Sequence, residues 1–308
     1  MKYLKLIRYQ NLLLLAIMQL VFRFGYLELI TIPLSLFYWQ YALLVFSTIL
    51  IAAGGYIIND IFDVETDEEN KPGKVLIGKS ISEDLAYKLY SIFTITGVAL
   101  GFILSNSISH PNFAIIFVLI ATLLYFYAST LKQIAILGNI TVAALLGFSV
   151  LIIGIFDIFP NTFDVNKPQM TLAFSILFDY AKFAFIINLV REIIKDIEDI
   201  KGDNLQGMKT LPIAIGIAKT SKIAFVMLLF PTLYLLYYVY NYLFSNNLLY
   251  SIFYLFTFVI GLMIFCLVKI WNAKEKQDFT LISSILKWII FFGILSIVVI
   301  TLNIKYNA

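Results

Sequence analysis

Charge is scarce in this chain, and the side chains of thiol and imidazole chemistry are almost missing. Of 308 residues only 13% are charged, one is cysteine and one is histidine. The lone Cys266 lies in an apolar run, which excludes an internal disulfide framework and any cysteine-rich metal site. It reads as a small buried or lipid-facing hydrophobe. The single His110 precedes Pro111 in a short loop, so no histidine metal cluster or histidine-dependent triad can be assembled. A soluble domain carries about a quarter charged residues. Here hydrophobic residues make up 61% and the mean hydropathy is +0.92, which predicts an integral membrane protein. The net charge of +3 says little about partners, because the placement of charge matters more than its sum, and no nucleic-acid partner is expected.

Long apolar runs are what the chain does have. Hydropathy predicts spans near 10–27, 39–59, 85–105, 111–129, 134–156, 170–192, 219–242, 247–270 and 281–303. Each is long enough to cross a bilayer as a helix, and the chain has room for about nine such spans. The runs are too long and too continuously apolar for a membrane barrel. The expected fold is therefore an all-α polytopic membrane protein, a single domain over residues 1–308. Lys2, Lys5 and Arg8 precede the first run and no small-residue cleavage pattern follows, so it reads as a first span rather than a signal peptide. Lys and Arg concentrate at the N-terminus and in every second loop, whereas the loops around 106–110 and 241–247 have none. The positive-inside rule then places the N-terminus in the cytoplasm, in an inner or plasma membrane.

Two acidic clusters stand out against this background. Asn59, Asp60, Asp63 and Asp67 follow the second apolar run, and Asp196, Asp199 and Asp203 follow the sixth. Both place Asp at i, i+3 and i+7, offsets that put three carboxylates on one helix face. Negative charge so concentrated at the end of an apolar helix is costly unless cations bind there. Facing carboxylate clusters suit Mg²⁺, which takes oxygen ligands and often bridges to phosphates. Asp60 and Asp196 are 136 residues apart, about four helices with their loops. Two four-helix halves around a central site would bring the clusters together, as repeats do in many membrane folds. Basic residues lie close to both clusters: Lys71, Lys74, Lys132, Arg191, Lys195 and Lys201. A site for metal plus an anionic ligand accommodates them, because Lys and Arg neutralise phosphate oxygens.

These residues resemble those of the UbiA-type intramembrane prenyltransferases. The family motif N-D-x-x-D-x-x-x-D is matched by Asn59, Asp60, Asp63 and Asp67, and its D-x-x-D-x-x-x-D by Asp196, Asp199 and Asp203. Asn70-Lys71-Pro72, the run Tyr127 to Lys132, Gly138-Asn139 and Thr210-Leu211-Pro212 match as well. The stretch from Arg191 to Asp203 is most similar to the geranylgeranylglycerol-phosphate geranylgeranyltransferase branch, which makes ether lipids in archaea. In one departure, Lys74-Val75-Leu76 stands where the family has Arg-Pro-Ile. The resemblance implies a prenyl diphosphate held by two Mg²⁺ ions on Asp60, Asp63, Asp196 and Asp199, with Asp67 and Asp203 as further ligands. It implies that Lys74, Lys132, Arg191 and Lys195 meet phosphate oxygens and that Tyr127 steadies an allylic cation through its ring face. Asn11 and Asn59 would orient the acceptor or the diphosphate. The acceptor implied is geranylgeranylglyceryl phosphate, a lipid; an aromatic acceptor is the alternative.

A cation transporter is the rival from another class, but it predicts carboxylates near the midplane on broken half-helices, whereas these charges sit at span ends. Asp179 and Lys182, one turn apart in the sixth span, are expected to pair toward the bundle interior. Lys287 is expected to snorkel to the cytoplasmic surface. Arg23 and Glu28 are expected at the outer end of the first span.

Overall fold

The computed structural model describes residues 1–70, 73 and 75–306. Nine of its helices are long and apolar enough to cross a membrane: α1 (Tyr9–Leu27), α2 (Tyr38–Phe62), α3 (Glu83–Ser107), α4 (Pro111–Ser129), α5 (Leu137–Asn161), α6 (Lys167–Glu198), α7 (Ile217–Phe244), α8 (Leu249–Asn272) and α9 (Lys276–Tyr306). The described residues contain no β-strand, only two isolated bridges. A bilayer offers the backbone no water, so apolar runs of this length fold as helices that satisfy their own peptide groups. The protein is thus an integral membrane protein, all-α as expected.

The helices form a ring. α2 packs on α1, α3 and α4; α6 packs on α5, α7 and α9; α9 closes the ring against α1 and α8. The two aspartate-bearing helices, α2 and α6, are therefore each the hub of a helix group. One end of the bundle is plain, with short turns around 108–110, 162–166 and 245–248. All the elaboration lies at the other end. There Lys2–Leu6, Val64–Asn70, Ile200–Leu205 and Leu211–Ile215 form short helices beside the span ends.

At the plain end, Arg23 and Asp157 form an ion pair, as the expected position of Arg23 allows. Arg23 also donates to Glu28 at 3.2 Å and to the Leu36 carbonyl at 2.9 Å. Asp157 accepts from the Leu36 amide at 3.0 Å. The cluster ties α1 and α5 to the α1–α2 loop and closes that end.

Two expectations about charges need correction. Asp179 and Lys182 do pair, at 2.7 Å, but their side chains are 54% and 53% exposed. They lie on the outer surface of α6, because the ridge of α6 that faces inward is taken by small and apolar residues such as Ala181 and Ala184. Lys287 does not snorkel outward. Its ammonium points into the bundle and donates to Asn11 Oδ1 at 2.7 Å, across the contact between α9 and α1.

Candidate active site

Both acidic motifs straddle a helix break. Asn59 and Asp60 belong to α2, Asp63 caps it with φ −99° and ψ 4°, and Asp67 lies on Val64–Asn70. Asp196 belongs to α6, Asp199 caps it with φ −99° and ψ 7°, and Asp203 lies on Ile200–Leu205. The expected single helix face is thus a helix, a joint and a short helix, built the same way twice. The i→i−4 hydrogen bonds continue through both joints: Asp63 N to Asn59 O at 3.0 Å, Asp67 N to Asp63 O at 2.8 Å, Asp199 N to Lys195 O at 2.9 Å and Asp203 N to Asp199 O at 3.2 Å. The carboxylate spacing therefore survives the break.

A latch joins the two motifs. Asn70 Oδ1 accepts from the Gly202 amide at 2.9 Å, and both residues are buried. A Cβ on Gly202 would lie 2.4 Å from Asn70 Nδ2 and 2.8 Å from the Thr66 carbonyl, so only glycine permits this approach. Gly138 plays a similar part beneath Lys132, where a Cβ would come within 2.8 Å of the Lys132 Cα. That close packing holds the turn carrying Lys132 against the start of α5.

All six aspartates line one cavity of about 1030 Å³. Asn11, Asn59, Tyr127, Lys132, Arg191 and Lys195 line it too, so the structure brings together every expected site residue that it describes. Lys74 lies outside the described residues, as do Lys71 and Pro72. Away from the aspartates the cavity wall turns apolar, with Leu14, Met18, Phe22, Phe117, Ile120 and Ile294 among its lining. Along α1, Asn11 and Phe22 are separated by a rise of about 16 Å.

The carboxylates are not a bare ring. Asp60 pairs with Arg8 at 2.6 Å, Asp63 with Lys132 at 2.5 Å, and Asp196 accepts from Asn139 Nδ2 at 2.8 Å. Asn59 donates to Asp63 at 2.6 Å. Lys195 and Arg191 both converge on the buried Glu192, at 3.0 and 2.9 Å. Among the described residues no three carboxylate, imidazole or thiolate side chains converge as a closed metal cage. The donor set nevertheless fits a hard divalent cation: it is carboxylate oxygen, it lines one water-accessible cavity, and protein cations neutralise part of it. Several buried polar atoms of the site have no hydrogen-bond partner, among them Asn59 Oδ1, Asn188 Nδ2 and Arg191 Nε. Groups left so in a native structure are suited to a ligand.

Arg8, Asn139, Asn188, Glu192 and Lys287 are site residues that sequence reasoning did not assign. Arg8 joins Lys2–Leu6 to α1 in a left-handed conformation, φ 49° and ψ 53°, which a non-glycine residue adopts at a cost of about 1–3 kcal/mol. That kink turns its guanidinium onto Asp60 and over the Tyr56 ring, 5.1 Å from the centroid. Burial opposes charge on Arg8, but Asp60, Tyr56 and Asp67 together outweigh it and raise the guanidinium above its ordinary pKa. Asn139 had a signal, since Gly138-Asn139 is one of the motif pieces. Arg8, Asn188 and Lys287 had none beyond being polar in or beside an apolar run.

The chain has known relatives in sequence and in fold. A profile of the UbiA prenyltransferase family matches residues 16–300. The digeranylgeranylglyceryl phosphate synthase of Sulfurisphaera tokodaii is 34% identical over 219 residues, 70% of each chain. That of Methanosphaera stadtmanae is 36% identical over 220 residues, 70% of this chain and 71% of the relative. A solved structure of a digeranylgeranylglyceryl phosphate synthase superposes with a TM-score of 0.64 at 26% identity, covering 97% of each chain. A UbiA homolog from Archaeoglobus fulgidus, bound to GPP and Mg²⁺, shares the fold with a TM-score of 0.57 at 18% identity, covering 96% of this chain and 99% of that one.

Proposed function

This chain belongs to the UbiA prenyltransferase family, and from that premise we propose that it transfers a geranylgeranyl group from its diphosphate to geranylgeranylglyceryl phosphate in a Mg²⁺-dependent reaction. The observation that carries the reading is the union, in one cavity, of two latched aspartate motifs at its polar mouth and a long apolar wall behind them. A prenyl diphosphate has the same division, a charged head and an apolar tail. The names of the relatives support the glyceryl phosphate acceptor.

Asp60, Asp63, Asp196 and Asp199 would hold the metal, with Asp67 and Asp203 as further ligands. Bound there, Mg²⁺ supplies neutralisation of the diphosphate charge as it departs. Arg8 and Lys132 are the resting partners of Asp60 and Asp63. As cations beside the head group they can turn to phosphate oxygens once the carboxylates have another counter-charge. Lys195 and Arg191 stand on the facing helix for the remaining oxygens; Lys74 is assigned the same task from sequence alone. The bond between C1 and the diphosphate oxygen breaks, the acceptor hydroxyl oxygen bonds to C1, and the hydroxyl proton leaves. Tyr127 lines the cavity and its ring face can steady the allylic cation that forms between these events. Asn59 holds Asp63 in place and keeps a buried oxygen for the substrates. The apolar wall excludes water, which would otherwise capture the cation. The basic loops at this end of the bundle support a cytoplasmic position for it.

The test is transfer of radiolabelled geranylgeranyl diphosphate, with Mg²⁺, by the purified protein in detergent. Label moving to geranylgeranylglyceryl phosphate is expected. Label moving only to 4-hydroxybenzoate would keep the reaction class and overturn the acceptor. Release of no diphosphate with either acceptor would overturn the reading.

A further inference from the structure

Behind the aspartates the cavity holds a second polar patch, rich in hydrogen-bond donors. Lys287 sits eleven residues into α9, a rise of about 16 Å from the aspartate end of that helix. Asn188 lies eight residues before Asp196 on α6, about 12 Å deeper. Lys287, Asn188 and Asn11 all line the cavity. The contact of Lys287 with Asn11 Oδ1 engages one of three ammonium protons, and among the described residues Lys287 makes no ion pair. Arg191, another cation, lines the same cavity. Asn188 is 5% exposed and its Nδ2 has no partner; the Nε of Arg191, at the boundary with the aspartate site, has none either. Glu192, the carboxylate in this region, is already engaged by Arg191 Nη1 and Lys195 Nζ.

A half-buried cation on a cavity wall, beside another cation and buried N–H groups without partners, favours an anion that completes it. The diphosphate has its own place among the metal-holding aspartates. A second anion would be repelled from that mouth by the carboxylates and drawn to this patch. We propose that Lys287, Asn11 and Asn188 form a second anion subsite, which holds the phosphomonoester of the lipid acceptor apart from the diphosphate of the donor. This rests on the acceptor reading above. It gives the site a means to prefer an acceptor with a phosphate over the same lipid alcohol without one.

Two measurements on the full-length protein in detergent test it. In the first, with EDTA and no donor, unfolding temperature is followed with geranylgeranylglyceryl phosphate or with geranylgeranylglycerol. The phosphate-bearing lipid is expected to stabilise the wild type, the alcohol much less, and Lys287→Gln to lose the difference while unfolding like the wild type without ligand. In the second, Lys287→Gln is expected to raise the acceptor KM about tenfold or more, as loss of a charge-assisted hydrogen bond implies. The donor KM should hold, and Lys287→Arg should recover part of the effect. An acceptor KM unchanged in Lys287→Gln would overturn the proposal. A rise in the donor KM instead would assign the patch to the diphosphate and overturn it equally. Should the wild type transfer to neither acceptor, the functional reading falls on its own, and the metal-free measurement still decides the patch. Equal stabilisation by the two lipids would then overturn it.

Discussion

The two ends of the bundle both bury charge, and they do so in opposite ways. At the plain end the Arg23 fork is filled: Nε faces Glu28, Nη1 faces Asp157 and Nη2 faces the Leu36 carbonyl. Side-chain exposure there is 5% for Arg23 and 0% for Asp157. At the aspartate end the charges also pair, but Asp60 and Asp63 remain 20% and 17% exposed on a cavity wall, and donors nearby lack acceptors. Buried ionic groups completed by the protein act as structure; those completed only in part are arranged for something that arrives. The difference lies in what surrounds the pair, since both ends use Arg and Asp.

Each of the following changes breaks one end and should leave the other intact. If Asp63 and Asp199 hold the metal as proposed, Asp63→Asn with Asp199→Asn should reduce transfer below detection, because losing metal ligands costs more than the roughly 10–100-fold of losing an outer-shell partner. The unfolding temperature should fall less than in the Asp157 variant below, because Asn keeps an acceptor beside Lys132; full turnover in the double variant would remove both residues from the proposed metal site. Asp157→Ala should do the reverse. It takes from Arg23 its fully buried counter-charge and leaves only the part-exposed Glu28, at a cost of about 3 kcal/mol, while the folded fraction keeps the wild-type KM for prenyl diphosphate. A variant of normal stability with impaired turnover would dissolve the distinction between the ends. A finer cut is Asn139→Ala, which takes from Asp196 its amide partner. Half-saturation by Mg²⁺ should rise about 10–100-fold, read from turnover against metal concentration, and an unchanged value would leave Asn139 a packing residue. Gly202→Ala should have the smallest effect, about 1–3 kcal/mol of overpacking as the new Cβ meets Asn70 and Thr66. Its sharper signature is a weakened Mg²⁺ requirement curve rather than a lost fold, since the latch sits outside the core.

The spans were legible because apolar length is written directly in composition, and most boundaries fall within a few residues of the hydropathy runs. α6 is the instructive exception. Its apolar run ends near residue 192, but the helix continues to Glu198 because the Lys195–Glu192 pair, one turn apart, keeps the polar turns helical. The aspartates were legible from spacing repeated twice. Their joints were not, since i→i−4 bonding passes through Asp63 and Asp199 and leaves no breaker residue to read. Lys287 and Asp179 were misjudged for a common reason. A lone ionisable letter in an apolar run does not say which face of its helix meets a neighbour, and that is decided only when α9 lies against α1 and α6 turns Ala181 and Ala184 inward. Arg8 depended on a left-handed kink that nothing in its neighbours demands.

The hydrogen bond between Asn70 and Gly202 links residues 132 apart in the chain. At ribosomal speeds of about 5–20 residues per second, the second partner is made on the order of ten seconds after the first. Through that interval the nascent chain carries one aspartate motif without the other and no opposing wall. The cavity that both motifs line is therefore complete only once the sixth helix has docked.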